Sequence, residues 1–119
     1  MNAAERLWRA LAGRDWDGVR AQFHPAAVVE RVSAGTSLGV DEFIADHREH
    51  AARGDFEVQV LRTLSAGMTV VVEARVGGAR CAGLYDLHEA KIAGAVEYWV
   101  APAPPAPPAA APGDAPAPR

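Results

Sequence analysis

The chain has 119 residues, of which 50% are hydrophobic, and this length supports one domain but excludes a second hydrophobic core. Its 12 basic and 15 acidic side chains give a formal charge of −3 and form no basic stripe, which argues against nucleic acid and anionic membranes as partners. The single cysteine, Cys81, cannot form an internal disulfide, and charges interrupt the apolar residues of positions 1–11, unlike a signal peptide. These features predict a cytoplasmic protein.

The beginning of the chain has the spacing of two short helices. An apolar residue recurs at i, i+3, i+4 and i+7, which indicates one buried helix face, and Gly13 is predicted to end that helix in the left-handed conformation. Asp15 is the expected N-cap of a second helix, which carries Trp16, Val19 and Phe23 and ends near His24-Pro25. The buried face of the first helix consists of Ala4, Leu7, Trp8 and Leu11.

A strand, a loop and a third helix are predicted next. Residues 27–33 are short and β-branched, which favours a strand, whereas residues 35–39 are predicted to form a loop. The third helix has acidic residues at its N-terminal end and Gly54 as its expected stop. Its predicted inward face consists of Val40, Phe43, Ile44, His47 and Ala51.

Beyond Gly54 the apolar residues alternate with polar ones, which indicates strands. We predict four of them, at 57–65, 68–76, 80–88 and 91–100. The dipeptides that connect them are short enough to require an antiparallel meander. Helices followed by a meander predict an α+β fold in which the helices cover one face of the sheet. The connecting dipeptides are Ala66-Gly67, Gly77-Gly78 and Glu89-Ala90.

One face of this sheet is predicted to be apolar and uncovered, opposite Glu73, Arg75 and Glu97. An apolar patch of this size is typical of an interface, so we expect a homodimer joined through the sheets. The predicted face consists of Val70, Val72, Ala74, Val76, Leu84, Val96, Tyr98 and Val100.

The end of the chain has a different composition. Residues 101–119 are almost wholly proline and alanine, and such a segment buries too little apolar surface to offset the entropy of ordering. We therefore divide the chain into a folded domain at 1–100 and a disordered tail at 101–119.

Three segments together resemble the SnoaL-like, nuclear-transport-factor-2-like superfamily. They are ALAGRDWDGV at 10–19, GVDEFI at 39–44 and KIAGAVEYW at 91–99. The resemblance implies a cone-shaped fold in which three N-terminal helices pack on a curved antiparallel sheet and enclose a pocket for a small lipophilic molecule. It also implies an isomerase, cyclase or hydrolase that uses acid/base chemistry, or alternatively a non-catalytic ligand-binding or protein-interaction module.

Comparison with two catalytic sets of this superfamily narrows the chemistry. The aspartate base and the tyrosine of ketosteroid isomerases correspond to Arg31 and Leu7, which argues against isomerase chemistry of that type. The Asp–Arg–Asp set of limonene epoxide hydrolases corresponds to Glu73, Arg75 and Glu97, with the acidic and basic roles exchanged at the first two positions.

The resemblance and the strand period together define a candidate catalytic site. Glu73 and Arg75 lie two residues apart and share a strand face, and the family comparison directs them and Glu97 into the pocket. Glu97 is the expected base, and Arg75 is expected to stabilise developing negative charge. The alternative is a solvated cross-strand ion network. The turn lengths decide which neighbours share this face, either Cys81, Gly83 and Tyr85 or Ala82 and Leu84.

Further residues are expected around this site. His47 is expected either to carry protons, since imidazole titrates near neutrality, or to be a hydrogen-bonded core residue. The remaining histidines lack metal-ligand spacing, so we expect neither a metal nor another cofactor. The expected ligand-binding residues are Arg31, Trp8, Tyr85, Trp99 and Phe43.

Overall fold

The computed structural model describes residues 1–101, so residues 102–119 of the predicted tail lie outside the described part. The described part is an α+β domain with three helices and one six-stranded sheet. The helices are α1 (Ala3–Ala12), α2 (Trp16–Ala21) and α3 (Val40–Ala52). The strands are β1 (Phe23–Arg31), β2 (Thr36–Gly39), β3 (Val58–Ala66), β4 (Thr69–Val76), β5 (Ala79–His88) and β6 (Lys91–Val100).

Helix α1 forms because its ends are capped and one of its faces is apolar. The Asn2 side chain accepts a hydrogen bond from the Glu5 backbone, and the Glu5 carboxylate accepts one from the Asn2 backbone, which completes a capping box. The prediction for Gly13 is wrong, because Gly13 has a φ of −86° and the left-handed residue is Arg14, with a φ of 54°. The predicted apolar face is buried at Ala4, Leu7, Trp8 and Leu11.

Helix α3 carries several of the residues that surround the candidate site. The Gly39 N–H donates to the Glu42 carboxylate at its N-terminus, and Gly54 follows it with a φ of +117°, which confirms the predicted stop. Its predicted inward face is confirmed, since Val40, Phe43, Ile44, His47 and Ala51 are all buried.

The sheet is mixed, and this corrects the predicted antiparallel sheet. Its strand order is β2-β1-β6-β5-β4-β3, and β1 pairs in parallel with β6. The predicted loop at 35–39 contains β2, which pairs with β1, and β1 begins at Phe23 rather than at residue 27. Turn signals report only pairings between strands that are close in sequence, whereas β1 and β6 come from opposite ends of the domain.

The hairpin turns fix which residues face the helices. The two turns at Gly77-Gly78 and Glu89-Ala90 lie as predicted, and the β3–β4 turn is at Gly67-Met68, one residue later than predicted. Just after the last turn, β6 contains a bulge: Leu87 pairs with Ile92 but Asp86 pairs with Gly94, which leaves Ala93 as the extra residue.

These turns divide the predicted apolar face between the two sides of the sheet. The inner side, which packs against the helices, buries Val70, Val72, Ala74 and Val76. The prediction that these four share a face with the β5 and β6 residues is wrong, because the two-residue turn pairs Val70 with Tyr85 rather than with Leu84. The outer side carries Leu84, Val96, Tyr98 and Val100 instead.

Candidate active site

The structure separates the predicted Glu73–Arg75–Glu97 cluster. Glu97 lies on the inner face and is completely buried, whereas Glu73 and Arg75 lie on the outer face. There the Glu73 carboxylate is 2.9 Å from Arg62 Nε and 3.7 Å from Arg80 Nη1. On this face the alternative of a solvated cross-strand ion network is the observed arrangement.

The bulge at Ala93 explains the separation. Without an extra residue, the register that begins at Leu87 and Ile92 would pair Glu97 with Ala82, which lies beside Glu73 on the outer face. With the extra residue, Glu97 pairs with Gly83 and points towards the helices. A single inserted residue in β6 therefore decides that one of the two glutamates is internal.

Neutral hydrogen-bond donors surround the Glu97 carboxylate. The Tyr85 hydroxyl donates to Oε2 at 2.7 Å, and the Trp99 indole donates from Nε1 to Oε1 at 3.0 Å. Trp8, on α1, donates from Nε1 to the Tyr85 hydroxyl oxygen at 3.0 Å. The helix layer and two strands thereby hold the carboxylate in one orientation.

Gly83 leaves the space that this arrangement needs. It lies between Val72 and Glu97 in the sheet, and the Tyr85 ring folds over it to reach the carboxylate. A Cβ at position 83 would overlap Cε2, Cζ and the hydroxyl oxygen of Tyr85. The glycine therefore allows the tyrosine to lie flat against the sheet.

The Arg31 guanidinium links Glu97 to helix α3. Arg31 is the register partner of Glu97 on β1, and its Nε lies 3.5 Å from Glu97 Oε1. Its Nη1 donates to Asp46 Oδ2 at 2.6 Å, and its Nη2 donates to His47 Nε2 at 3.2 Å. The guanidinium carbon also lies over the rings of Phe43 and Trp99, at 5.6 and 5.7 Å from their centroids.

Because arginine has only donors, its contact with His47 assigns the imidazole tautomer. Nε2 of His47 must accept the hydrogen bond from Arg31, so the ring proton of the neutral imidazole is on Nδ1. His47 is 2% exposed, and within residues 1–101 its Nδ1, like Arg31 Nε, has no hydrogen-bond partner. The described part of the site thus contains two buried N–H donors without an acceptor.

The pKa shifts agree with this assignment. Burial, and then the positive charge of Arg31, lowers the pKa of His47 from 6.5 to about 3, so the ring is neutral near pH 7. Burial and the Glu97 charge raise the pKa of Tyr85 well above 10.0, so the phenol keeps its proton. Burial would raise the pKa of Asp46, but the hydrogen bond and charge of Arg31 outweigh it, and this pKa is lowered.

Most of the predicted site residues meet on the inner face. The set that the structure brings together consists of Glu97, Tyr85, Trp99, Trp8, Arg31, His47 and Phe43. Asp46 was not among the predicted site residues, and it carries no periodicity signal because half of its side chain is exposed at the edge of α3. Arg31 on β1, whose side chain is 14% exposed, is the residue that requires such an acidic partner.

The residues around Glu97 are tightly packed. Three surface cavities of about 660, 460 and 270 Å³ occur in the described part, and Glu97 lines none of these three. The largest lies between α2 and the start of α3, beside Arg20 and Lys91. Among residues 1–101, no group of three or more potential ligand side chains has an arrangement that could hold a metal ion. No helix in this range is both long and apolar enough to span a bilayer.

Solved structures share this fold at low sequence identity. An NTF-2 like protein from Burkholderia xenovorans LB400 is 19% identical, with a TM-score of 0.71 over 88% of this chain and 84% of that one. An LEH-like epoxide hydrolase from M. tuberculosis is 24% identical, with a TM-score of 0.63 over 82% and 80% of the two chains.

A SnoaL-like protein from Burkholderia thailandensis E264 is 14% identical, with a TM-score of 0.71 over 81% of this chain and 89% of that one. A search of the curated proteins found no match. The profile of the SnoaL-like domain matches residues 4–103, a range that contains all three helices and six strands except Ala3, the first residue of α1. The chain therefore belongs to the SnoaL-like domain family.

Proposed function

We propose that this chain is a small-molecule pocket protein that carries out acid/base chemistry on a small lipophilic substrate at the inner face of its sheet. One observation carries the proposal: Glu97 is fully buried, yet its carboxylate is oriented by two neutral donors and lies 3.5 Å from an arginine. A buried carboxylate is costly unless it is compensated, and groups of this kind are concentrated at functional sites.

The contacts of Glu97 support different tasks for its two carboxylate oxygens. Oε2 is enclosed by Tyr85, which Trp8 holds in turn, so this side orients the carboxylate. Oε1 faces Arg31 and the half-buried Trp99, and it is the oxygen that we assign as the base. Arg31 replaces Arg75 as the group that stabilises developing negative charge.

The fold relatives support a choice of reactions to test. One structure with the same fold is named an LEH-like epoxide hydrolase, and that reaction needs a carboxylate base for water and a donor for the opening oxygen. Glu97 and Arg31 are groups of these two types in this chain. Epoxide opening and proton abstraction beside a carbonyl are therefore the reactions we propose to assay.

The test is a thermal-shift screen of wild type, Glu97→Gln and Glu73→Gln against lipophilic ketones, epoxides, aromatic polyketides and steroids. A ligand of the inner site stabilises only the folded state, so its shift should be reduced in Glu97→Gln and unchanged in Glu73→Gln. The same substitution on the outer face controls for loss of charge. Equal shifts in both variants would contradict a role for Glu97.

The packed interior favours a second function, in which the domain is a non-catalytic interaction module. Exposed apolar side chains on the outer face include Leu84, Tyr98 and Val100, together with Leu64 on β3. We propose that this face joins two copies of the chain, as an apolar sheet surface of this kind is typical of interfaces. Light scattering after size exclusion should give a dimer for wild type and a monomer for Leu84→Asp. A monomeric wild type would contradict this proposal.

A further inference from the structure

The largest of the three surface cavities in the described part, about 660 Å³, lies between α2, the start of β1 and the start of α3. Its floor is apolar and closed, since Phe23 is 2% exposed and Val40 is 8% exposed. Pro25 adds an apolar wall. Sites for small organic molecules are concave, have volumes of roughly 300–1,000 Å³ and combine apolar walls with a few polar groups. This cavity therefore has the size and the floor for a compact ring system.

Two aromatic rings separate this cavity from the residues around Glu97. The Phe23 ring packs edge-on against Phe43, with 5.3 Å between the ring centroids. The Arg31 guanidinium carbon lies over the Phe43 ring, at 5.6 Å from its centroid. Neither Glu97 nor His47 lines the cavity. A ligand in this cavity would therefore lie outside the helix–sheet interior and would not contact the Glu97 carboxylate.

Four charged side chains line the cavity, and three of them already have partners. Arg20 and Asp41 form an ion pair that joins α2 to α3. The Glu42 carboxylate accepts a hydrogen bond from the Gly39 N–H at 3.1 Å, so the acidic side chains of α3 already complement its positive end. Lys91, at the start of β6, is exposed and forms no ion pair within residues 1–101. Its ammonium is therefore the charge in this cavity that is available to a ligand.

We propose that this cavity is a second ligand site, which binds a monocarboxylate with a flat apolar body. The ring system lies on Phe23 and Val40, and the carboxylate accepts hydrogen bonds from the Lys91 ammonium. A second negative charge on the ligand would be repelled by Asp41 and Glu42, and a cation would be repelled by Lys91. The inference goes beyond the acid/base function, because it places a different class of ligand at a different site.

Three probes with one ring system test the charge preference: 2-naphthoate, 2-naphthalenemethanol and 2-naphthylmethylammonium. Their affinities are measured by calorimetry with wild type, Lys91→Gln, Lys91→Arg and Arg48→Gln. Arg48 is the matched control, because it is exposed on α3 outside the cavity and its replacement removes the same unit of charge. Because Lys91 is the only lysine in the chain, reductive methylation with isotope-labelled formaldehyde marks its ammonium and the N-terminal amine of wild type for NMR.

Wild type should bind 2-naphthoate about three- to five-fold more tightly than the alcohol, which is the gain expected of a single exposed ion pair, and should bind the ammonium compound most weakly. Lys91→Gln should bind the acid and the alcohol equally, whereas Lys91→Arg and Arg48→Gln should keep the preference. The labelled Lys91 resonance should shift on titration with 2-naphthoate. The proposal is overturned by equal affinities for the three probes, by preferred binding of the ammonium compound, by no binding of 2-naphthoate, or by an unchanged preference in Lys91→Gln.

Intermolecular NOEs separate this site from the inner face of the sheet. Protons of bound 2-naphthoate should give NOEs to the Val40 methyl groups, whereas NOEs to Trp99 would place the ligand beside Glu97 and overturn the inference. Glu97→Gln should keep the naphthoate preference of wild type. Neither result depends on the thermal-shift difference expected between Glu97→Gln and Glu73→Gln, so the two proposals can fail separately.

Discussion

Two glutamates on neighbouring parts of one sheet have opposite environments. Glu73 is on the outer face with a quarter of its side chain exposed, and it pairs with Arg62 and Arg80. Glu97 is on the inner face with no exposure, and two of its three polar partners are neutral. A surface ion pair contributes about 0–1 kcal/mol to the free energy of unfolding. Loss of any one partner of a buried carboxylate costs more, because the charge is then left uncompensated in the interior. The comparison shows that strand register, not residue type, decides whether a glutamate in this sheet is buried or exposed to solvent.

The largest expected effect comes from deleting Ala93. The deletion removes the bulge, moves Glu97 to the outer face and turns Val96 and Tyr98 towards the helices. Because β6 pairs with both β1 and β5, the expected outcome is loss of cooperative unfolding in circular dichroism. Ala93→Ser keeps the bulge and should change the free energy of unfolding by less than about 0.5 kcal/mol. A stable deletion variant would mean that the bulge does not set the face.

Replacing each glutamate by alanine measures how much its side chain contributes to the free energy of unfolding. Glu97→Ala leaves the Tyr85 hydroxyl and the Trp99 indole without an acceptor and removes the carboxylate that lies 3.5 Å from Arg31 Nε, so we expect a loss of about 3–5 kcal/mol in the free energy of unfolding. Glu73→Ala should cost about 0–1 kcal/mol. Urea denaturation of both variants gives the two values. Losses that agree within about 1 kcal/mol would contradict the assigned environments.

The burial of His47 against the inner face predicts that the free energy of unfolding depends on pH. The pKa of His47 is 6.5 when unfolded and about 3 when folded, so the unfolded chain binds a proton first as the pH falls. His47 therefore contributes stability that is fully present above pH 6.5 and is lost as the pH falls towards 3, at about 1.4 kcal/mol per pH unit between these values.

His47→Phe should remove this part of the slope in urea titrations between roughly pH 6 and pH 4. The other charged or ionisable side chains near His47 are Arg31, Asp46 and His50, and they remain in the variant. An unchanged slope in His47→Phe would show that the imidazole is not held neutral by its surroundings.

The smallest expected effect is at the turn before the bulge. Glu89 and Ala90 have φ values of 48° and 65°, which non-glycine residues rarely adopt. Ala90→Gly should therefore stabilise the domain by about 0.5–1 kcal/mol without altering the inner site, as measured by thermal unfolding. Ala82→Gly, on the outer face of β5, is the contrasting change and should destabilise. A destabilised Ala90→Gly would mean that the turn is not strained.

Much of the fold could be predicted because its signals are local. The period of α3 identified all five of its buried residues, and the dipeptides Gly77-Gly78 and Glu89-Ala90 marked two of the turns. The parallel pairing of β1 with β6 has no local signal, and neither does the bulge at Ala93. Both depend on how residues distant in sequence pack together.

The same dependence on residues distant in sequence explains which residues of the candidate site could be predicted. Glu97 and its aromatic neighbours were expected at a ligand site, because the family resemblance directed them inwards. The same resemblance also directed Glu73 and Arg75 into this cluster, and one inserted residue in β6 was enough to separate them from Glu97. Asp46 was missed because its importance comes from Arg31, which lies on another element.

Gly83 and Tyr85 also limit how this sequence can change over evolutionary time. Any side chain larger than a hydrogen atom at position 83 overlaps the Tyr85 ring. A substitution at Gly83 therefore requires Tyr85 to shift or to become smaller, and either change disturbs its hydrogen bond to Glu97. The two positions are therefore coupled by epistasis. In a lineage that has replaced the tyrosine by a smaller residue, a side chain can fill position 83, and a tyrosine restored at position 85 would then overlap it.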